Sequence, residues 1–244
     1  MVKKNSKFLN LSKKNIFLKK IYFFYNIYIR NFKYLRKSSQ FEEDKIILKL
    51  FPKNFVGNYV DIGSFHPTKY NNTFLLYKKG WRGVNIDLNP FTIEMFNYFR
   101  PQDINICSAI SSKSGKEKLF FSGDLSPENT IQKSHKKFLK KFFNYKDNNF
   151  YTKIVNTVNI NSIFEKYNIK SINFLSIDVE GHEFKILKSI NFNKINVEVI
   201  CVEILEHDKF LKTKSEVLLK FLKKNNYTLK AKTVSNYIFK KNEK

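Results

Sequence analysis

Between Ile172 and Glu183 the chain reads Ile-Asn-Phe-Leu-Ser-Ile-Asp-Val-Glu-Gly-His-Glu. Its apolar residues Phe174, Leu175 and Ile177 stop abruptly at Asp178, Glu180, His182 and Glu183. That is the pattern of a strand buried on both faces whose carboxyl end opens into a polar site. A sheet containing such a strand must be covered on both sides, and helices supply the cover. Ligands of open α/β sheets bind outside the carboxyl ends of the strands, so Asp178, Glu180 and His182 are placed to move protons or to hold a ligand. The same residues would also serve as a solvated acidic loop leading into a helix, with Glu183 favourable at the helix start.

Similar runs recur along the chain. Tyr59-Val60-Asp61-Ile62-Gly63 reads as a short strand ending at an acid and a glycine, and Ser64-Phe65-His66-Pro67 as a tight loop after it. Asn72-Thr73 can cap a helix through Lys79. A second strand, Val84 to Asp87, ends in another acid, and an acid there is where α/β folds hydrogen-bond the two ribose hydroxyls of a nucleoside ligand. The competing role for Asp87 is to cap the helix from Pro90 to Phe99. One glycine stands at Gly63 where a dinucleotide fingerprint needs three, so the phosphate-cradle reading is weak. Further strands are expected at 104–110, 153–159 and 197–204, the last ending near Glu203, with helices at 162–167, 184–190 and 215–224 and a terminal hairpin over 227–240. Alternating strands and helices predict an α/β fold: a mostly parallel, doubly wound sheet with a C-terminal antiparallel hairpin. In such a sheet Asp61, Asp87, Asp178, Glu180 and Glu203 converge on one edge, and His66, His182 and His207 each follow a strand toward it.

Residues 1–40 differ from the domain expected over 41–244. Phe17, Ile21, Phe24, Tyr28, Phe32 and Leu35 fall at three- and four-residue spacings while Lys19, Lys20, Arg30 and Lys33 take other faces, which predicts a basic amphipathic helical extension. Such a helix can lie in a membrane interface, or pack its stripe on the domain or on a second subunit. A second helix is expected from Phe41 to Phe51, ended by Pro52. Residues 122–150, with Gly123, Pro127 and several Asn, read as an insertion near the site: a lid, an acceptor-recognition element or a plain surface excursion.

A formal charge of +24 suggests nucleic acid or an anionic surface as partner. Against nucleic acid, only Arg30, Arg36, Arg82 and Arg100 are arginines, the residue suited to bidentate phosphate and base contacts, and the lysines are spread through every segment. Cys107 and Cys201 lie singly in apolar runs and read as reduced core thiols of a cytoplasmic protein, with no disulfide framework and no thiolate zinc site. No apolar run reaches the roughly 18 to 20 residues that span a bilayer.

Three blocks then carry a resemblance: Tyr59-Val-Asp-Ile-Gly-Ser-Phe-His-Pro, Gly80-Trp-Arg-Gly-Val-Asn-Ile-Asp87, and Phe174-Leu-Ser-Ile-Asp-Val-Glu-Gly-His-Glu-Phe. In combination and in this order, over about residues 55–204, the chain resembles the FkbM family of S-adenosylmethionine-dependent methyltransferases. The resemblance implies a class I methyltransferase (Rossmann-like) sheet and methyl transfer to a hydroxyl of a sugar, glycan or secondary metabolite. It matches Asp61 and Gly63 to the cofactor loop, Asp87 to the ribose-binding acid, and Ser108 and Ala109 to the region beside the adenine. Asp178 and His182 are the candidates for a general base, with Glu180 orienting them; a divalent metal held by carboxylates and imidazole is the weaker option, because no known ligand spacing is present and no metal ligand is assigned. The rival readings are an RNA-directed methyltransferase or nucleic-acid-binding module, and a catalytically silent membrane-associated scaffold.

Overall fold

A computed structural model describes residues 2–126, 129–142, 146, 150–204 and 209–243. The chain opens with helices α1 (Val2–Ser12) and α2 (Ile16–Phe24), continued by a π-helical turn at Tyr25–Arg30 and a 3-10 turn at Phe32–Leu35. Helix α3 (Glu43–Leu48) leads to strand β1 (Asn58–Ile62), helix α4 (Phe74–Lys78), strand β2 (Arg82–Asp87) and helix α5 (Pro90–Phe99). Strands β3 (Ile104–Cys107), β4 (Ala109–Ser111) and β5 (Gly115–Phe121) follow, then α6 (Lys133–Phe142), β6 (Tyr151–Asn159), α7 (Ile160–Lys166), β7 (Ser171–Ile177) and α8 (Glu183–Ser189). Strand β8 (Asn196–Glu203), helix α9 (Lys209–Lys224) and strands β9 (Tyr227–Lys232) and β10 (Asn236–Lys241) complete it.

Among the described residues the strands form a seven-stranded sheet in the order β3-β2-β1-β7-β8-β10-β9 and a three-stranded sheet in the order β4-β6-β5. The first five strands of the large sheet run parallel, and β10 is antiparallel to both β8 and β9. Central strands read as continuous apolar runs because both faces are covered. On one face Val60, Ile86, Leu175, Ile177, Ile200 and Val202 pack against residues such as Phe164 of α7, Leu187 of α8 and Leu222 of α9. On the other, Tyr59, Phe174, Val199 and Ile238 pack with Ile47 of α3, Leu76 of α4 and Trp81.

Register is what builds the site. Ile62 pairs with Ile86 and with Ile177, and Ile177 pairs with Val202. The residues that follow in each strand direction, Gly63, Asp87, Asp178 and Glu203, therefore fall on one row at the carboxyl edge.

Several expectations are corrected. The run 104–110 is broken at Ser108: β3 stays at the edge of the large sheet beside β2, whereas β4 leaves it to pair with β6. The Ser108 N–H donates to the Asp87 carbonyl at 2.9 Å, which turns the chain at that point. Cys107 is exposed, not a core thiol, because β3 is an edge strand; Cys201, on central β8, is buried, and both are free. The helix expected over 41–51 is confined to Glu43–Leu48, preceded by Glu42 in a left-handed conformation (φ 65°). Of the expected stripe, Phe17, Ile21, Phe24 and Phe32 face solvent, while Tyr28 meets the Phe99 ring of α5 at 5.7 Å and Leu35 is partly buried. Tyr22, Phe23 and Ile27 make the main contact instead, buried against Phe91 and Met95 of α5.

Candidate active site

The carboxyl edge of β1, β2 and β7 opens into a cleft lined by Gly63, Phe65, Asp87, Leu88, Asn89, Thr92, Ser108, Ala109, Asp178, Glu180 and His182. The cavity proper is small, about 60 Å³, and continues into an open mouth. A nucleoside-sized ligand would extend from one into the other.

Gly63 permits the edge to close. It has φ +83°, and a Cβ on it would lie 1.7 Å from the Asp178 carbonyl oxygen. Any other residue there would meet both a left-handed backbone and a backbone collision. The Gly63 N–H donates to Ile86 O at 2.9 Å, and the Asp178 N–H to Ile62 O at 2.9 Å, so the parallel ladder runs up to the cleft.

Beyond Gly63 the loop is held by buried polar groups. Phe65 is left-handed (φ 51°), its N–H donates to Asp87 Oδ2 at 3.0 Å, and Thr92 Oγ1 donates to its carbonyl at 3.2 Å. The second Asp87 oxygen, Oδ1, accepts the Asn89 N–H at 2.7 Å. Asn89 Oδ1, in turn, caps α5 through Phe91 N at 3.1 Å, so Asn89 and not Asp87 is the helix cap. Burial raises the Asp87 carboxyl from 3.8 to about 6, opposed by those two backbone N–H groups.

Asp61 does not line the cleft. It is buried beneath the loop, where its Oδ2 accepts Thr73 Oγ1 at 2.9 Å and Asn71 Nδ2 at 3.1 Å. Arg100, fully buried, donates to Thr73 Oγ1 at 2.9 Å and to Asn71 Oδ1 at 2.8 Å, so charge and countercharge are joined through two neutral side chains. His66 is also buried and does not line the cleft. Its Nδ1 accepts the Thr68 and Lys69 N–H groups at 3.1 and 3.0 Å, which leaves Nε2 as the donor to Asn26 Oδ1 at 2.8 Å. Burial and nearby cations hold the ring pKa down at about 3, so it is neutral. This bond ties the N-terminal extension to the loop of the cleft. His207 lies outside the described residues.

On the other side, Asp178, Glu180 and Glu203 bring one carboxylate oxygen each within 4.8 Å of one another. Asp178 and Glu203 share a hydrogen bond, and each is pushed well above the ordinary carboxyl range by burial first and by the neighbouring carboxylates second. Repulsion of this kind is relieved by sharing a proton or by a hard divalent cation, which takes oxygen ligands. Glu180 is left-handed (φ 56°), and its carbonyl accepts Thr130 Oγ1 at 2.8 Å. His182 is buried at the start of α8 and lines the cleft. Glu183 is turned to structure: its Oε1 accepts the Gly181 and Val179 N–H groups at 2.8 and 3.2 Å.

The site set read from sequence is thus divided. Gly63, Asp87, Ser108, Ala109, Asp178, Glu180 and His182 meet at the cleft, and Asp61 supports it from below. Sequence reading placed Glu203 at a strand end but left it out of the catalytic set; its register beside Asp178 would have included it. Phe65 and Arg100 were missed. A scarce arginine just after an aromatic-rich helix was the available signal for Arg100; none marks Phe65. Within 122–150, Ser126, Asn129 and Ile131 border the cleft, while residues 127, 128, 143–145 and 147–149 lie outside the described ones.

The family described as Methyltransferase FkbM domain matches residues 57–229. The chain belongs to that family. The match contains the carboxyl-edge row from Gly63 to Glu203 and the loop after β1 and ends within β9, whereas residues 1–56 precede it. A comparison with curated proteins returns no match. As an FkbM domain the chain is a methyltransferase.

Proposed function

We propose that this FkbM domain transfers a methyl group from S-adenosylmethionine to a hydroxyl oxygen of a sugar, glycan or secondary metabolite. The observation that carries the reading is the placement of Asp87. Each carboxylate oxygen accepts one backbone N–H, from Phe65 or Asn89, and keeps a lone pair directed to further donors. A vicinal diol supplies two such donors. Apolar Leu88 and Ile110 beside Ser108 and Ala109 offer walls for a heterocycle, so the residues present suit a nucleoside cofactor. Gly63 lets the loop lie against Asp178, and Asp61 holds Asn71 and Thr73 behind it.

The cofactor supplies a methyl carbon on a positively charged sulfur. With it bound, the carbon–sulfur bond would break to a neutral thioether as the acceptor oxygen took the methyl group, and this chain's part would be to orient the hydroxyl and take its proton. Asp178 is the leading base because burial and the adjacent Glu180 and Glu183 raise its proton affinity. Glu203 shares its proton, Glu180 orients the group, and His182 is the second candidate. In this reading the wild-type chain binds S-adenosylmethionine in calorimetric titration, and Asp87→Ala weakens it by about 1.5 to 3 kcal/mol, as expected for a charge-assisted bond. Equal affinity of wild type and variant would overturn the assignment of Asp87. Labelled S-adenosylmethionine incubated with glycan, lipid and RNA fractions identifies the acceptor.

A further inference from the structure

We propose that the outward face of α2 and of the two turns that follow it binds an anionic lipid bilayer, lying in its interfacial layer. The inward face is fully used: Tyr22, Phe23, Asn26 and Ile27 are buried, packed on α5 or bonded to His66. The outward face is also apolar. Ile16 is 75% exposed, Phe17 67%, Ile29 60% and Phe32 52%, with Ile21 and Phe24 exposed between them. On a helix, Phe17 and Ile21, and likewise Ile16, Lys20 and Phe24, stack at four-residue intervals on one side. The Phe24 ring meets the Tyr28 ring at 5.1 Å, which continues the strip past the end of α2. A run of exposed apolar side chains this long marks an interaction surface.

Charge identifies the partner. Residues 1–41 carry eleven Lys and Arg and no Asp or Glu; the first acid is Glu42. Lys14, Lys20, Arg30 and Lys33 are exposed among the apolar residues. A second copy would bring an equally cationic face against this one, in a chain of formal charge +24, and repulsion opposes that. An anionic bilayer matches both properties: apolar side chains enter the acyl boundary while the cations stay at the headgroups. Among the described residues no helix is long and apolar enough to cross a membrane, so the contact is superficial.

The test is co-sedimentation of the full chain with phosphatidylcholine vesicles, with and without phosphatidylglycerol as a third of the lipid. Wild type binds the anionic vesicles and binds neutral ones far more weakly. The triple variant Phe17→Ser, Ile21→Ser, Phe24→Ser loses about a hundredfold in partitioning, from the apolar area it withdraws. Lys14→Glu with Lys20→Glu removes the preference for anionic lipid. If the triple variant does not fold, as judged by its melting transition, Ile16→Ser alone moves binding in the same direction. Failure of wild type to bind anionic vesicles overturns the proposal, as does equal binding by wild type and Ile16→Ser. A concentration-dependent dimer of wild type that the triple variant abolishes, without vesicle binding, overturns it in favour of a subunit interface. None of these readouts depends on methyl transfer.

Discussion

The missing Cβ of Gly63 would stand 1.7 Å from the carbonyl oxygen of Asp178, so the loop after β1 and the proposed base are in backbone contact. Gly63→Ala combines a left-handed non-glycine residue with a collision that only backbone movement relieves. A destabilisation of about 2 to 5 kcal/mol is expected in urea unfolding, together with loss of S-adenosylmethionine binding. Native-like stability and affinity in this variant would mean that the two strand ends are not held this closely.

Cofactor binding should depend on pH through Asp87. Its carboxyl titrates at about 6 in the fold against an ordinary 3.8, so the acceptor for a diol is lost as pH falls through about 6. Calorimetric affinity should decline on that side, and Asp87→Asn should be weak and flat across the same range. The folded state holds this proton more tightly than the unfolded chain, so the contribution of Asp87 to stability falls as pH rises from near 4 to about 6. Asp87→Asn should remove that slope.

Asp178→Asn and His182→Ala each test the transition-state side of the cleft. Turnover should fall by about 10²- to 10⁴-fold for the residue that is the base, while S-adenosylmethionine still binds. Glu203→Gln removes the proton-sharing partner of Asp178 and should shift the pH profile of turnover. Activity lost to a chelator and restored by a divalent ion would reassign Asp178, Glu180 and Glu203 as ligands. Full turnover in both the Asp178 and His182 variants would place the chemistry elsewhere.

Removal of residues 1–38 should destabilise the domain. It exposes Phe91 and Met95 and deletes the buried Tyr22, Phe23 and Ile27, a loss on the order of 5 kcal/mol at roughly 1.5 to 3 kcal/mol per buried side chain. Asn26→Ala isolates one part of this by leaving the His66 Nε2–H without its acceptor, for about 1 to 3 kcal/mol. His66 also gives a pH signature opposite in sign to that of Asp87. Its ring stays neutral in the fold down to about 3 but protonates near 6.5 when unfolded, so stability falls on acidification below 6.5, and His66→Gln should remove that fall. A truncated domain with an unchanged melting temperature would show the extension to be separable.

What the sequence determined by itself was local. Apolar runs ending at Asp87, Asp178 and Glu203 identify buried strands and their polar ends, since hydrophobic patterning and chain breaks depend on near neighbours alone. The family blocks around Asp61, Asp87 and Asp178 lie in the same runs. Only the tertiary structure decided register, and register separates Asp87 and Asp178 at the cleft, with Glu203 beside Asp178, from Asp61 beneath it. It also decided which side of α2 is covered. Both sides are apolar, so periodicity alone could not choose between the stripe at Phe17, Ile21 and Phe24 and the one at Tyr22, Phe23 and Ile27. Packing on α5 and the bond from His66 to Asn26 settle it, through contacts between residues 40 or more positions apart that no local pattern encodes.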